Sequence, residues 1–126
     1  MNKILSTPKA PAAIGPYAQG VQAGQRVFVS GQLPIDPATG ALCEGTVGDM
    51  TCQSMRNIAA ILEQAGCTLA DVVKTTIFLK DLEDFAQVNE AYATFFPENP
   101  PARACVQVAK LPKDARVEIE AIAVKG

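Results

Sequence analysis

Apolar and polar positions alternate along this chain, then shift to a helical period, then alternate again. "RVFVSG" (Arg26 to Gly31) sets β-branched and aromatic residues two apart, which predicts a strand, and the Pro, Asp and Gly of "QLPIDPATGA" predict a turn or broad loop after it. From Thr46 the period lengthens: Met55, Ile58, Leu62 and Ala65 recur at helical spacing, Thr46 stands three residues before Asp49 as an N-terminal cap, and Gly66 marks the stop. "VVKTTIFLK" (Val72 to Lys80) reads as a long strand. A second helix follows in "DLEDFAQVNEAYATFFP", where Phe85, Val88, Tyr92 and Phe95 form one apolar face and Pro97 ends it. "RACVQVA" (Arg103 to Ala109) and "ARVEIEAIAV" (Ala115 to Val124) complete the pattern as two strands, which the short connector "KLPKD" is expected to set side by side and antiparallel.

The order β-α-β-α-β-β predicts an α+β fold with a mixed sheet. Right-handed crossovers place both helices on one face of that sheet and leave the other without a partner in the same chain. Strands such as Arg26–Ser30 and Val72–Leu79 are largely apolar on both sides, so self-association through the open face is expected.

Composition strengthens this picture. The chain has 126 residues, enough for a single domain spanning 1–126. Its 48% hydrophobic and 19% charged residues give little charge to solvate the outside of a monomer. The net charge of −2, with no run of basic residues, argues against a nucleic-acid partner. No apolar stretch has the length that spans a membrane, and "MNKILSTPKAP" lacks the apolar core of a signal peptide. With no C-x-x-C pair among Cys43, Cys52, Cys67 and Cys105, free thiols in the cytoplasm are expected. The absence of histidine removes Ser-His-Asp and Cys-His nucleophile pairs and every histidine-based metal site.

The remaining chemistry converges on the last two strands. In "ARVEIEAIAV" the alternation puts Val117, Ile119, Ala121 and Ala123 on one face and Glu118, Glu120, Ile122 and Val124 on the other. The plainer interpretation has the glutamates solvated near a strand end or paired to Arg116 or Lys113. The sharper one makes them a proton-transfer pair, because apolar neighbours and a second carboxylate both raise a carboxyl pKa. Arg103 opens the strand expected beside them, where it could form a plain salt bridge with a glutamate or bind the carboxylate of a ligand through two parallel hydrogen bonds. Cys105 shares its face with Arg103 but lacks an activating partner, which makes it a poor nucleophile. Gly31 in "VSGQ" either admits a ligand close to the backbone or starts a turn.

Taken together, "APAAIGPYAQG" (10 to 20), "VFVSGQLPIDPATG" (27 to 40), "VVKTTIFLKDLEDFAQVNEAY" (72 to 92) and "PPARACVQVAKLPKDARVEIEAIAV" (100 to 124) resemble the Rid family of reactive intermediate deaminases, close to its RidA members. The resemblance runs nearly the full length. It implies a chorismate-mutase-like fold with two helices on one face of the sheet, assembled as a homotrimer with sites between subunits. It also implies hydrolysis of small 2-imino acids, the tautomers of enamines such as 2-aminoacrylate and 2-aminocrotonate, to 2-keto acids and ammonia without a cofactor or metal. Carried over by motif, Arg103 would hold the substrate carboxylate and Glu118 would handle water and protons. Tyr17, Ser30, Gly31, Asn89 and Cys105 would line the pocket. Three rivals remain open: a ligand-binding or chaperone-like trimer without turnover, a nuclease, and a chorismate mutase, whose two-carboxylate substrate would ask for more than one arginine.

Overall fold

The helical period that begins at Thr46 is closed at its start by a reciprocal pair of hydrogen bonds. The Thr46 hydroxyl accepts from the Asp49 amide at 3.1 Å and the Asp49 carboxylate accepts from the Thr46 amide at 3.0 Å. In the computed structural model, which describes residues 2–126, the helix α1 so capped runs Val47–Glu63, and Met55, Ile58, Ile61 and Leu62 along one side are fully buried. The strands are β1 (Lys3–Leu5), β2 (Gly20–Ala23), β3 (Arg26–Gln32), β4 (Val72–Leu79), β5 (Ala102–Gln107) and β6 (Val117–Val124), and α2 spans Phe85–Ala93. They form one mixed six-stranded sheet in the order β1-β2-β3-β6-β4-β5.

β3 and β4 both pair antiparallel with β6, and β5 pairs parallel with β4, so the α1 and α2 crossovers each join parallel strands. Val27, Val29, Ile77, Leu79, Val117, Ile119, Ala121 and Ala123 pack inward with α1 and with Val88 and Tyr92 of α2 in a single core. The opposite face carries Phe28, Val106 and Val124, each more than two-fifths exposed. That is the uncovered apolar face expected from the crossover argument.

One topological expectation fails. The last two strands run in opposite directions but are not neighbours: β6 inserts between β3 and β4, and β5 is left at the sheet edge. The nine residues Val108 to Arg116 can span roughly 30 Å when extended, enough to step across the intervening strand at about 5 Å per strand. Hydrophobicity selects the arrangement. The inward residues of β6 are all buried and Ile122 on its outer side is half-buried, which suits a central position, whereas no residue of β5 is fully buried.

β1 and β2 were not expected. Each has at most four residues, too few to show alternation, although the Ala23-Gly24-Gln25-Arg26 corner held the signal. Ala23 pairs with Arg26 across a two-residue loop whose first residue, Gly24, has φ +62°, the position where a hairpin turn favours glycine.

Candidate active site

On the outer face, the pairing of β3 with β6 shifts register between Val29, opposite Ala121, and Gln32, opposite Ile119. Two residues, Ser30 and Gly31, therefore face the single Glu120, forming a bulge of the kind that re-aims side chains beside active sites. The missing side chain at Gly31 has a definite use. A Cβ there would lie 2.9 Å from Cδ and 3.0 Å from Oε2 of Glu118, so only glycine leaves room for the carboxyl to lie across the strand. Gly31 thus neither starts a turn nor merely thins the strand.

Burial raises the Glu118 carboxyl above its usual range, and the negative charge of Glu120 raises it further. Arg116 does not relieve this. Its guanidinium makes two hydrogen bonds, at 3.0 and 3.1 Å, to the carboxylate of Asp84, which corrects the expectation that Arg116 could pair with a glutamate. Lys113 makes no ion pair with either glutamate among the described residues, although it lines the same cleft from a loop with φ +58° at Lys113 and +55° at Asp114.

This cleft, of about 690 Å³, is walled by Pro11, Ile14, Tyr17, Leu33 and Ile35 around Ser30, Gly31, Glu118 and Glu120. Ser30 donates its hydroxyl to the Ala18 carbonyl at 2.6 Å, which leaves the oxygen able to accept. The wall is held from behind by buried Gln19, whose side chain accepts from the Thr7 amide at 2.7 Å and donates to the Pro11 carbonyl at 2.8 Å. Buried Asn57 holds the opposite wall by donating to the carbonyls of Leu33 and Ile35. Neither Gln19 nor Asn57 was singled out from sequence, because a polar side chain that ties loops together carries no periodic signal.

Arg103 lies elsewhere. Its register partner is Thr75, which points to the helix side, whereas Glu118 is paired with Phe78 on the outer side. Cation and acid thus sit on opposite faces of the sheet with β4 between their strands, and the side-by-side placement expected from the sequence is corrected. Arg103 lines a second cleft of about 650 Å³ with Asn89, Tyr92, Phe96, Pro100 and Pro101. Its Nη1 donates to Asn89 Oδ1 at 2.6 Å, and it makes no salt bridge among the described residues. Cys105 shares the Arg103 face, as alternation required. Burial raises its thiol pKa and the arginine only partly offsets this, so the thiol stays protonated near neutral pH.

The predicted site residues therefore fall into two groups within one chain: Tyr17, Ser30, Gly31 and Glu118 in the first cleft, and Asn89, Arg103 and Cys105 on the other side of the sheet. One group offers a carboxyl of raised pKa with hydroxyl neighbours, suited to moving protons. The other offers a guanidinium without an ion pair among the described residues, suited to holding an anion.

Comparison with known proteins identifies the lineage. A 2-iminobutanoate/2-iminopropanoate deaminase of Salmonella typhimurium is 56% identical over 128 residues, with 99% of each chain covered. A mouse protein of the same name is 52% identical over 126 residues, covering all of this chain and 93% of the relative. The crystal structure of Escherichia coli TdcF with bound serine superposes with a TM-score of 0.94 at 50% identity, covering 98% of this chain and 99% of that one. The sequence model of the Endoribonuclease L-PSP family matches residues 7–125, and the chain belongs to this family, the Rid family of the sequence resemblance.

Proposed function

We propose that the protein hydrolyses small 2-imino acids to 2-keto acids and ammonia, in sites built between the copies of a homotrimer. The observation that carries this reading is the state of Arg103: a half-buried guanidinium held by a neutral amide and by aromatic rings, with its charge unspent on any carboxylate among the described residues. Such a group is suited to the planar carboxylate of an imino acid. The curated relatives named as 2-iminobutanoate/2-iminopropanoate deaminases, at more than half identity over nearly the whole chain, support the substrate class. The relative crystallised with serine supports a pocket for a small amino-acid-like ligand.

Glu118 supplies the other half of the chemistry. Water gives up one proton as its oxygen bonds to the imine carbon, forming a carbinolamine, and the new hydroxyl gives up the second as the C=O bond forms; nitrogen receives both and leaves as ammonia when the C–N bond breaks. A carboxyl with a raised pKa can take each proton from oxygen and deliver it to nitrogen. Ser30 and Tyr17 border the same cleft as hydrogen-bonding groups for the water or the nitrogen. Since Glu118 and Arg103 lie on opposite faces of one chain, a working site takes Glu118 from one copy and Arg103 from the next. The uncovered outer sheet face supplies the apolar surface that such an assembly would bury.

The family's description as an endoribonuclease suggests RNA cleavage, but two carboxylates facing the cleft would repel a phosphodiester, and no basic stripe accompanies them. The test is a coupled assay in which a pyridoxal-phosphate serine or threonine dehydratase generates the imine. This protein should speed formation of keto acid and ammonia, and Arg103→Ala should abolish that gain. Equal rates with and without the protein would refute the activity.

A further inference from the structure

We propose that Phe85 and Tyr92 of α2, with Thr75 behind them, form an aromatic slot that positions the Arg103 guanidinium for its anionic ligand, which makes these three residues determinants of substrate-carboxylate affinity. The inference rests on the clamp role assigned to Arg103. Its Cζ lies 5.5 Å from the centre of the Phe85 ring and 5.1 Å from that of Tyr92, both within the range of cation–π attraction. Phe85, Asn89 and Tyr92 recur at i, i+4 and i+7, so one face of α2 presents two rings with an amide between them. The amide oxygen accepts from Arg103 Nη1 at 2.6 Å. The guanidinium is held by these three neighbours without being neutralised by any of them.

Thr75 accounts for how the slot keeps its shape. The inward face of β4 consists of Thr75, Ile77 and Leu79, all buried, so a hydroxyl among these aliphatic residues requires a reason. It lies 2.7 Å from the Tyr92 hydroxyl, a hydrogen bond buried between sheet and helix. Thr75 is also the register partner of Arg103 across β4 and β5. The same residue thus sits beside the arginine on the neighbouring strand and ties down the ring beside that arginine, fixing tyrosine and guanidinium to one reference point. Valine would pack as well at this position but could not hold the ring. Phe96, whose ring centre is 4.9 Å from that of Tyr92, supports the tyrosine further along the chain. The polar residue within the apolar face of α2 was the sequence signal for this slot: Asn89 between two aromatics at helical spacing.

The slot predicts a specific separation of effects. A loosely held arginine still carries its charge but samples many orientations, so binding of the carboxylate suffers more than the proton transfers that Glu118 performs. Tyr92→Leu and Phe85→Leu are each expected to raise KM for the imino acid, and Kd for 2-oxobutanoate measured by calorimetry, about five- to thirtyfold, with a smaller fall in kcat. Tyr92→Phe and Thr75→Val, which keep the rings and the packing but break the hydroxyl pair, should each raise both constants about threefold. The decisive arm repeats the leucine replacements in an Arg103→Ala background and reads only Kd for 2-oxobutanoate, titrated to high ligand concentration, which needs no turnover. There they should add nothing, because their effect acts through the guanidinium.

Leucine variants that lower Tm while leaving KM and Kd unchanged, or whose effect persists undiminished without Arg103, would overturn the slot. Phe85 is 36% exposed, so Phe85→Leu keeps the test open should the buried Tyr92→Leu fail to fold. If Arg103→Ala itself leaves Kd at the wild-type value, the clamp reading falls and takes the slot with it. That outcome is distinct from an active clamp that is indifferent to its rings.

Discussion

Mixing two inactive variants should restore activity. Arg103→Ala removes the proposed anion-holding group and leaves Glu118 in place, while Glu118→Gln removes the proposed proton carrier and leaves Arg103. Each protein alone lacks one half of every site. Because the two groups lie on opposite faces of the sheet, with β4 between their strands, the proposed site would draw them from different copies. In a ring with threefold symmetry, every Arg103 then faces the Glu118 of the next subunit in one rotational sense. After equal amounts of the variants are unfolded together and refolded, a given site has one chance in two of drawing its arginine from a Glu118→Gln chain. It has the same chance of drawing its glutamate from an Arg103→Ala chain, so about a quarter of all sites should work. No trimer can carry more than one of them. The assay is the dehydratase-coupled rate per subunit, with native mass spectrometry verifying that mixed trimers formed. A rate no higher than the mean of the two parents, in a sample shown to be mixed, would refute a site shared between copies, and a species that stays near 13.3 kDa in solution would refute it sooner.

Three further outcomes follow from the local geometry. Gly31→Ala places a methyl group within 2.9 Å of the Glu118 carboxyl carbon, so kcat/KM should fall by about 10²-fold for a displacement near 1 Å, while Tm changes little because the obstructing group is the end of a flexible side chain. Cys105→Ser should retain most activity, since burial keeps the thiol protonated; complete loss in an intact assembly, measured by the same coupled rate, would point to covalent catalysis. Glu120→Gln should move the acidic limb of the kcat/KM profile to lower pH relative to wild type, because removing a neighbouring negative charge makes Glu118 easier to ionise; a shift to higher pH would contradict the placement of the pair.

Periodicity disclosed most of the architecture and little of the site's arrangement. The helix from Thr46 and the strand from Val72 were legible because their apolar residues all face one core, which imposes a strict period. Alternation in "EIEA" correctly put Glu118 and Glu120 on the face opposite Val117, Ile119, Ala121 and Ala123, and it put Arg103 and Cys105 on a common face. It could not say which strand lies next to which. Alternation reports the two sides of a strand, whereas neighbourhood depends on which strand buries both sides best, and that comparison favoured β6 for the centre. The placement of Arg103 beside Glu118 followed from the assumed hairpin and failed with it. The motif resemblance grouped candidate residues by family but carried no information on which of them one chain can bring together.

The separation of Arg103 from Glu118 has a chemical advantage over the hairpin that the sequence suggested. Side by side in one chain, guanidinium and carboxylate would form a salt bridge that lowers the carboxyl pKa and occupies the arginine's donors, with a return of only about 0 to 1 kcal/mol where water reaches the pair. Such a pair would cancel both functions. In this fold the arginine finds a neutral amide and two rings, which orient it without discharging it, and the glutamate finds burial and a second carboxylate, which hold its proton more tightly. On the proposed function, each group is kept in the state the reaction uses until the proposed assembly would bring them together, and the substrate carboxylate would then occupy the guanidinium and shield Glu118 from it. The edge position of β5 serves the same end. A central strand would enclose Arg103 within its own chain, whereas an edge strand would let it reach a neighbour in the proposed assembly, at the cost of an open margin for a second copy to cover.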